Sequence, residues 1–204
     1  MADLLVLIRH GEPEGGAAGR LRGRSDAPLS ALGCRQAAWA GSVVASLPPT
    51  ADARYYTSPL RRARQTAALA LEGTGREAAV LDDLVEVDVG EWEGLDYAEA
   101  AERDPEEAAR WAVWDPGFRF PGGESLAGFL ERVEGVCRTL ADVDAETVVA
   151  FSHGGVIRSS VCHLLGLDSR QYLLFDVGPA CVVSIRLYDG GGVLRGLRNC
   201  DVVS

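Results

Sequence analysis

The sequence predicts an α/β protein: a three-layer sandwich whose mostly parallel central sheet of about six strands carries helices on both faces and ends in an antiparallel edge hairpin. Three observations predict it. Short apolar runs alternate with stretches of helical spacing, the pattern of strand–helix units. The runs at residues 4–8 and 147–151 are apolar throughout, as strands covered on both faces require. Two later runs are joined through Tyr188-Asp189-Gly190-Gly191, a hairpin connection. The 204 residues, 47% hydrophobic and 25% charged, suit one globular domain over 1–204.

In chain order, the first strand is Leu4-Leu5-Val6-Leu7-Ile8, ended by Arg9-His10-Gly11. Ser30 is placed to cap a helix whose apolar face takes Leu32, Trp39, Val43, Val44 and Leu47. Arg54-Tyr55-Tyr56-Thr57 is a second strand. Ser58 as cap and Pro59 at the first helical position then open a helix to about Glu72. Residues 78–81 form a further strand. Between about Asp88 and Gly123 the regular spacing weakens, and Trp92, Trp111, Trp114, Phe118 and Phe120 gather among carboxylates and Pro-Gly pairs. This predicts an irregular insertion of short helices and loops over the end of the sheet. Ser125 opens an amphipathic helix with Leu126, Phe129, Leu130, Val133, Cys137 and Leu140 on one face. Thr147-Val148-Val149-Ala150-Phe151 ends in Ser152-His153-Gly154-Gly155, and Val156, Ile157, Val161, Leu164 and Leu165 form the stripe of a helix that stops at Gly166. Residues 181–187 and 193–197 make the edge hairpin.

Composition excludes several functions. A net charge of −10 is wrong for a nucleic-acid binder, which draws its affinity from a basic surface. The apolar N-terminal run is too short for a membrane span and has the wrong flanks for a signal peptide, which predicts a cytoplasmic protein without membrane partners. Lysine is absent, which removes Schiff-base chemistry and the lysine-dependent phosphate loop. Five dispersed cysteines with no C-x-x-C pair predict buried free thiols, with no metal site and no cofactor. The charge is also uneven. Residues 1–64 hold nine Arg against five acidic residues, whereas residues 65–204 hold eleven against twenty-five. The basic early segment is either a solvated arginine face or part of an anion site.

Ligands of open parallel sheets bind beyond the carboxyl ends of the strands. Three such ends deliver Arg9-His10-Gly11, Ser58-Pro59-Leu60-Arg61-Arg62 and His153-Gly154-Gly155, and they hold two of the three histidines. The third, His163, falls inside a helix and is read as structural. Arg61, Arg62 and Arg64 sit in the first turns of a helix, where the dipole disfavours cations by about 0.3–1 kcal/mol each. A bound anion reverses that penalty, and the free amides after Ser58 and Gly154 would face the same ligand. Two histidines, several arginines and two helix N-termini converging on one spot predict a pocket for a small phosphorylated molecule.

Four blocks carry a family resemblance. Arg9-His10-Gly11-Glu12 resembles the R-H-G-E signature of the histidine phosphatase superfamily, which includes the phosphoglycerate mutases. Residues 58–67, SPLRRARQTA, resemble its S-x-L-x-R-A-x-Q-T-A block and place the family arginine at Arg62. Residues 84–94, LVEVDVGEWEG, match E-x-x-x-G-x-W-E-G and put the family proton donor at Glu86, a choice that carboxylate-rich neighbours leave open without the match. Residues 152–158, SHGGVIR, match the second-histidine block. The resemblance implies a metal-independent phosphomonoesterase. In it His10 attacks phosphorus, Arg9, Arg62 and a protonated His153 hold the phosphoryl oxygens, and Glu86 protonates the leaving group. Many family members carry an asparagine near the position of Gly16. Phosphate contacts are therefore expected instead from Arg22 and from the backbone at Gly11, Gly23 and Gly154.

Residues 22–30 and 120–125 are also similar to alpha-ribazole phosphatases, and the insertion's tryptophans could either pack or stack on a planar ring. The alternatives are a phosphoglycerate mutase, a phosphoprotein-directed phosphatase or binding module, and a purely structural domain. A homodimer is compatible with the sequence.

Overall fold

The computed structural model describes residues 2–15, 19–46 and 52–202. Leu47 and Gly16 lie outside them. A six-stranded sheet is built from β1 (Leu4–Arg9), β2 (Ala53–Thr57), β3 (Ala79–Val80), β4 (Thr147–Ser152), β5 (Val182–Tyr188) and β6 (Gly191–Arg198). Their order across the sheet is β3-β2-β4-β1-β5-β6. The first four strands are mutually parallel, and β5 and β6 join antiparallel at the β1 side as the expected hairpin. Among the described residues the α-helices are α1 (Ala31–Ala45), α2 (Arg61–Ala70), α3 (Tyr97–Arg103), α4 (Pro105–Ala112), α5 (Leu126–Ala141) and α6 (Gly154–Leu164).

Strand alternation sorts the core into two faces. Leu5, Leu7, Val148 and Ala150 point to one side, where Phe129 and Val133 of α5 and Val156 and Ile157 of α6 cover them. Val6, Ile8, Val149 and Phe151 point to the other, against Ala40 and Val43 of α1 and Ala67 and Ala70 of α2. Both faces of β1 and β4 are therefore dry, which explains their unbroken apolar runs. The stretch after β3 folds into short helices and turns, with Trp92, Phe118 and Phe120 buried in the larger core cluster. The Trp92 indole N–H donates to Asp104 Oδ2 at 2.8 Å.

Local expectations were met at Ser30 and Ser125, whose hydroxyls cap α1 and α5. Three were not. The Ser58-Pro59 pair does not open α2, which begins at Arg61 with Leu60 as its unassisted cap and ends at Ala70. The serine is drawn off to a distant histidine. The third strand shrinks to two residues at the sheet's edge. The cysteines are all free, but only Cys137, Cys162 and Cys181 are buried, while Cys34 is exposed on α1. Among the described residues, no helix is long and apolar enough to cross a membrane.

Candidate active site

The adjacent parallel strands β1, β4 and β2 end at one level, which brings His10, His153 and Ser58 together. His10 and His153 meet edge to face, with ring centroids 5.1 Å apart and planes at 61°. Both are buried, and Arg62 beside them is fully buried.

Hydrogen bonding fixes the state of His10. Its Nδ1 lies 2.7 Å from the Gly11 carbonyl, which can only accept, so Nδ1 carries the proton. Its Nε2 receives the Arg62 Nε–H at 3.1 Å, a group that can only donate, so Nε2 holds a lone pair. Burial, followed by the guanidinium groups of Arg9 and Arg62, holds the His10 pKa well below the usual histidine range. Both bonds describe a neutral ring with its lone pair at Nε2.

His153 Nε2 lies 2.7 Å from Ser58 Oγ, whereas its buried Nδ1 has no protein partner. Arg9 donates from Nη1 to the Val177 carbonyl at 2.7 Å, and its Nε is likewise buried and unpartnered. Burial first, then the neighbouring His10, Arg62 and Arg9, push the His153 pKa well down. In the free pocket this disfavours the protonated ring expected to hold phosphate. A bound dianion reverses the sign of that environment.

Arg62 is clamped by the chain rather than by acids. It donates to the Ser25 carbonyl at 2.5 Å and the Gly23 carbonyl at 2.7 Å. The loop carrying those carbonyls is tied in turn by Glu93, which accepts from the Gly23 amide at 3.0 Å and the Arg24 amide at 3.1 Å. Gly23 therefore serves as a brace, and its N–H is already engaged. The Gly11 N–H is also engaged, to Thr66 Oγ1 at 3.1 Å. A Cβ on Gly11 would stand 2.3 Å from the Gly33 carbonyl oxygen, so close backbone packing dictates that glycine.

The helix N-termini differ from expectation too. The Arg61 amide at the start of α2 donates to Asp26 Oδ1 at 2.5 Å, so a protein carboxylate already caps that end. Arg61 and Arg64 are exposed and are not among the residues lining the cavity that holds His10. At α6 the Gly155 amide donates to Glu86 Oε2 at 3.0 Å, and Glu86 Oε1 accepts from the Val87 amide at 3.0 Å. Glu86 is buried and lines the same cavity as His10, Arg9, Arg22 and Gly154. A Cβ on Gly155 would lie 2.6 Å from Glu86 Oε1, so glycine there makes room for the carboxylate.

The cavity measures about 640 Å³. Its outer walls include Trp111, Trp114, Phe120, Phe129 and Tyr172, along with Arg158. Arg158 closes the SHGGVIR block, and its place one turn into α6 from Gly154 is the signal the sequence offers for it. Ser58 carries a local helix-cap signal, and nothing local in the sequence reveals its bond to His153. His163 sits exposed in the last turn of α6, away from this cavity. Among the described residues, no three His, Cys, Asp or Glu side chains gather into a set that could hold a metal ion.

A doubly covered sheet presenting two buried histidines, the buried Arg62, the half-buried Arg9 and a buried carboxylate at one set of strand ends has the makings of a phosphoryl-transfer site. The family model of the histidine phosphatase superfamily (branch 1) matches residues 5–200, and the chain belongs to that superfamily. It is 36% identical over 201 residues to a bifunctional protein of Mycobacterium tuberculosis, covering 93% of this chain and 54% of that protein, so it spans about half the length of that relative. It is 31% identical to an adenosylcobalamin/alpha-ribazole phosphatase of Salmonella typhimurium, with 96% of each covered. Its fold is similar to the crystal structure of the alpha-ribazole phosphatase from Shigella flexneri, with a TM-score of 0.84, 26% identity and 96% of each chain covered.

Proposed function

We propose that the protein is a metal-independent phosphomonoester hydrolase that passes the phosphoryl group through His10. The observation that carries this reading is the tautomer of His10, whose proton is held at Nδ1 by Gly11 while Nε2 keeps its lone pair beside Arg62. The phosphoryl group, on reaching Nε2, takes over the Arg62 hydrogen bond on one of its oxygens. Arg9 Nε and His153 Nδ1, both without protein partners, supply further donors, His153 once it binds a proton in the field of the dianion. The Nε2 lone pair forms the N–P bond as the P–O ester bond breaks, and Glu86 delivers a proton to the departing alkoxide. Water then attacks phosphorus and gives a proton to Glu86. The N–P bond breaks and returns its electron pair to Nε2. Guanidinium groups neutralise the transferring charge throughout, so no step requires a metal.

Among substrates, alpha-ribazole phosphate is favoured by the likeness to the Salmonella and Shigella enzymes and by the aromatic residues along the cavity. The test is hydrolysis of p-nitrophenyl phosphate in EDTA, with acid-labile ³²P label trapped on the wild type and absent from His10→Ala. Loss of turnover on chelation, or label retained by His10→Ala, overturns the proposal. A mutase reading requires isomer exchange between phosphoglycerates that depends on a bisphosphate primer, and absence of that exchange in an assay supplying both removes it.

A further inference from the structure

We infer that the cavity selects phosphomonoesters whose alcohol part carries a planar aromatic ring, received by Trp114 and Tyr172. This rests on the phosphomonoesterase reading above and names its substrate class.

A phosphoryl group fills only a small part of a 640 Å³ cavity, so the alcohol part meets the outer walls. Those walls are largely apolar and aromatic, with Trp111, Trp114, Phe120, Phe129, Tyr172 and Leu173 among them. The other arginines that line the cavity already hold hydrogen bonds. Arg20 is paired with Glu99 at 2.7 Å and bonded to the Gly94 carbonyl. Arg22 donates to the Gly15 carbonyl, and Arg158 donates to the carbonyls of Phe175 and Val177. A carboxylate or second phosphate on the alcohol part would have to compete with those bonds, whereas a ring would not.

Trp114 is also fixed in place by the end of α4. Its φ of 55° belongs to the left-handed cap that closes that helix, where the Trp114 amide donates to the Trp111 carbonyl at 2.9 Å and the Asp115 amide to the Arg110 carbonyl at 3.0 Å. Two side-chain contacts then orient the indole. The indole stacks on Tyr172 with ring centroids 4.0 Å apart and planes at 27°, and its N–H donates to Ser169 Oγ at 3.0 Å. They fasten the segment after α4 to the 3₁₀ turn Ser169–Leu174 that follows α6, and both rings line the cavity. The indole is only half-buried, unlike the enclosed Trp92. Exposed Val113 and Leu173 flank the pair on its two segments. An already stacked pair at the edge of an apolar cavity extends readily by one more ring.

The experiment compares kcat/KM for 2-(1-naphthyl)ethyl phosphate, butyl phosphate and phosphoserine. All three release primary alkoxides, so leaving-group demand is similar and differences report the alcohol part. Wild type should favour the naphthyl ester over the butyl ester by about tenfold or more, mainly through KM, a preference on the scale of one stacked ring. That ratio should fall at least roughly fivefold in Trp114→Ala and in Tyr172→Leu. The second variant removes the same stack from the other segment and covers the case in which alanine at positive φ fails to fold. Phosphoserine as the best substrate, or an unchanged ratio in a folded variant, overturns the inference. If no ester turns over, the phosphomonoesterase reading fails by itself. Calorimetric binding of the matching naphthylethyl and butyl phosphonates then decides the ring site, and equal affinities refute it.

Discussion

Acid should unfold this protein through its two active-site histidines, and the size of the effect follows from their burial. In the unfolded chain each ring titrates near pH 6.5. In the fold both pKa values are pushed well below that, primarily by burial, with Arg9 and Arg62 adding to it for His10, and His10 and Arg62 for His153. The unfolded state therefore takes up protons first as the pH drops. The stability these groups contribute is present above about pH 6.5 and is lost progressively below it, until the folded-state pKa is reached. Between pH 6.0 and 5.0 an unfolded histidine gains protons that a buried ring with a lowered pKa takes up less readily, a loss of up to about 1 kcal/mol for each ring. Every other titrating group contributes too, so the quantity to measure is a difference. Urea unfolding of wild type and of His10→Gln/His153→Gln at the two pH values isolates it, because glutamine does not titrate. Wild type should lose more stability than the double variant across that interval, by up to about 2 kcal/mol. Parallel losses would refute the reasoning, since they would mean that the rings charge in the fold as readily as outside it.

Three further outcomes follow from the same geometry. Glu86→Gln should slow alkyl phosphates by about 10²–10⁴ and p-nitrophenyl phosphate far less, because only the poor leaving group needs its proton; a Brønsted series over leaving groups checks this. Gly155→Ala, whose Cβ would fall 2.6 Å from Glu86 Oε1, should displace that carboxylate and lower kcat on alkyl phosphates roughly 10–100-fold, with thermal stability little altered because the displaced group is a side-chain end. Glu93→Gln should weaken the hold on the Gly23 and Arg24 amides that brace the Arg62 clamp, costing about 1.5–3 kcal/mol in urea unfolding and reducing kcat/KM without any contact to substrate.

The sheet was legible because its strands are covered on both faces: an apolar run such as residues 4–8 has few other uses. His10 and His153 were legible because adjacent parallel strands end at the same level, so chain-distant strand ends become neighbours. What stayed hidden were the partners. Ser58 followed by Pro59 carries a local helix-start signal, and its actual bond to His153 spans 95 residues that no window covers. Asp26 capping α2, Glu86 on the α6 amide and Glu93 bracing Arg24 are likewise long-range uses of acids that look solvated in sequence. The arginines of α2 show the same limit. Helical spacing turns Arg62 inward and leaves Arg61 and Arg64 outside, but the family block, not charge or propensity, singled out the inward one.

The pattern of those hidden partners explains how a net-negative chain keeps a cationic pocket. Carboxylate ion pairs would neutralise Arg9 and Arg62 and cost the site its affinity for phosphate. The fold instead holds both guanidinium groups with backbone carbonyls, those of Val177, Ser25 and Gly23, which fix geometry while leaving the charge uncancelled. Acids act at one remove. Glu93 grips the loop that supplies the carbonyls, and Glu86 is pinned by two amides. Taking these groups out of water disfavours their charged forms, and burial is the first cause lowering the pKa values of Arg9, His10, Arg62 and His153. In the proposed reaction an arriving phosphoryl dianion offsets that cost, so the electrostatic work done in folding the pocket would return as binding and as stabilisation of the transferring charge.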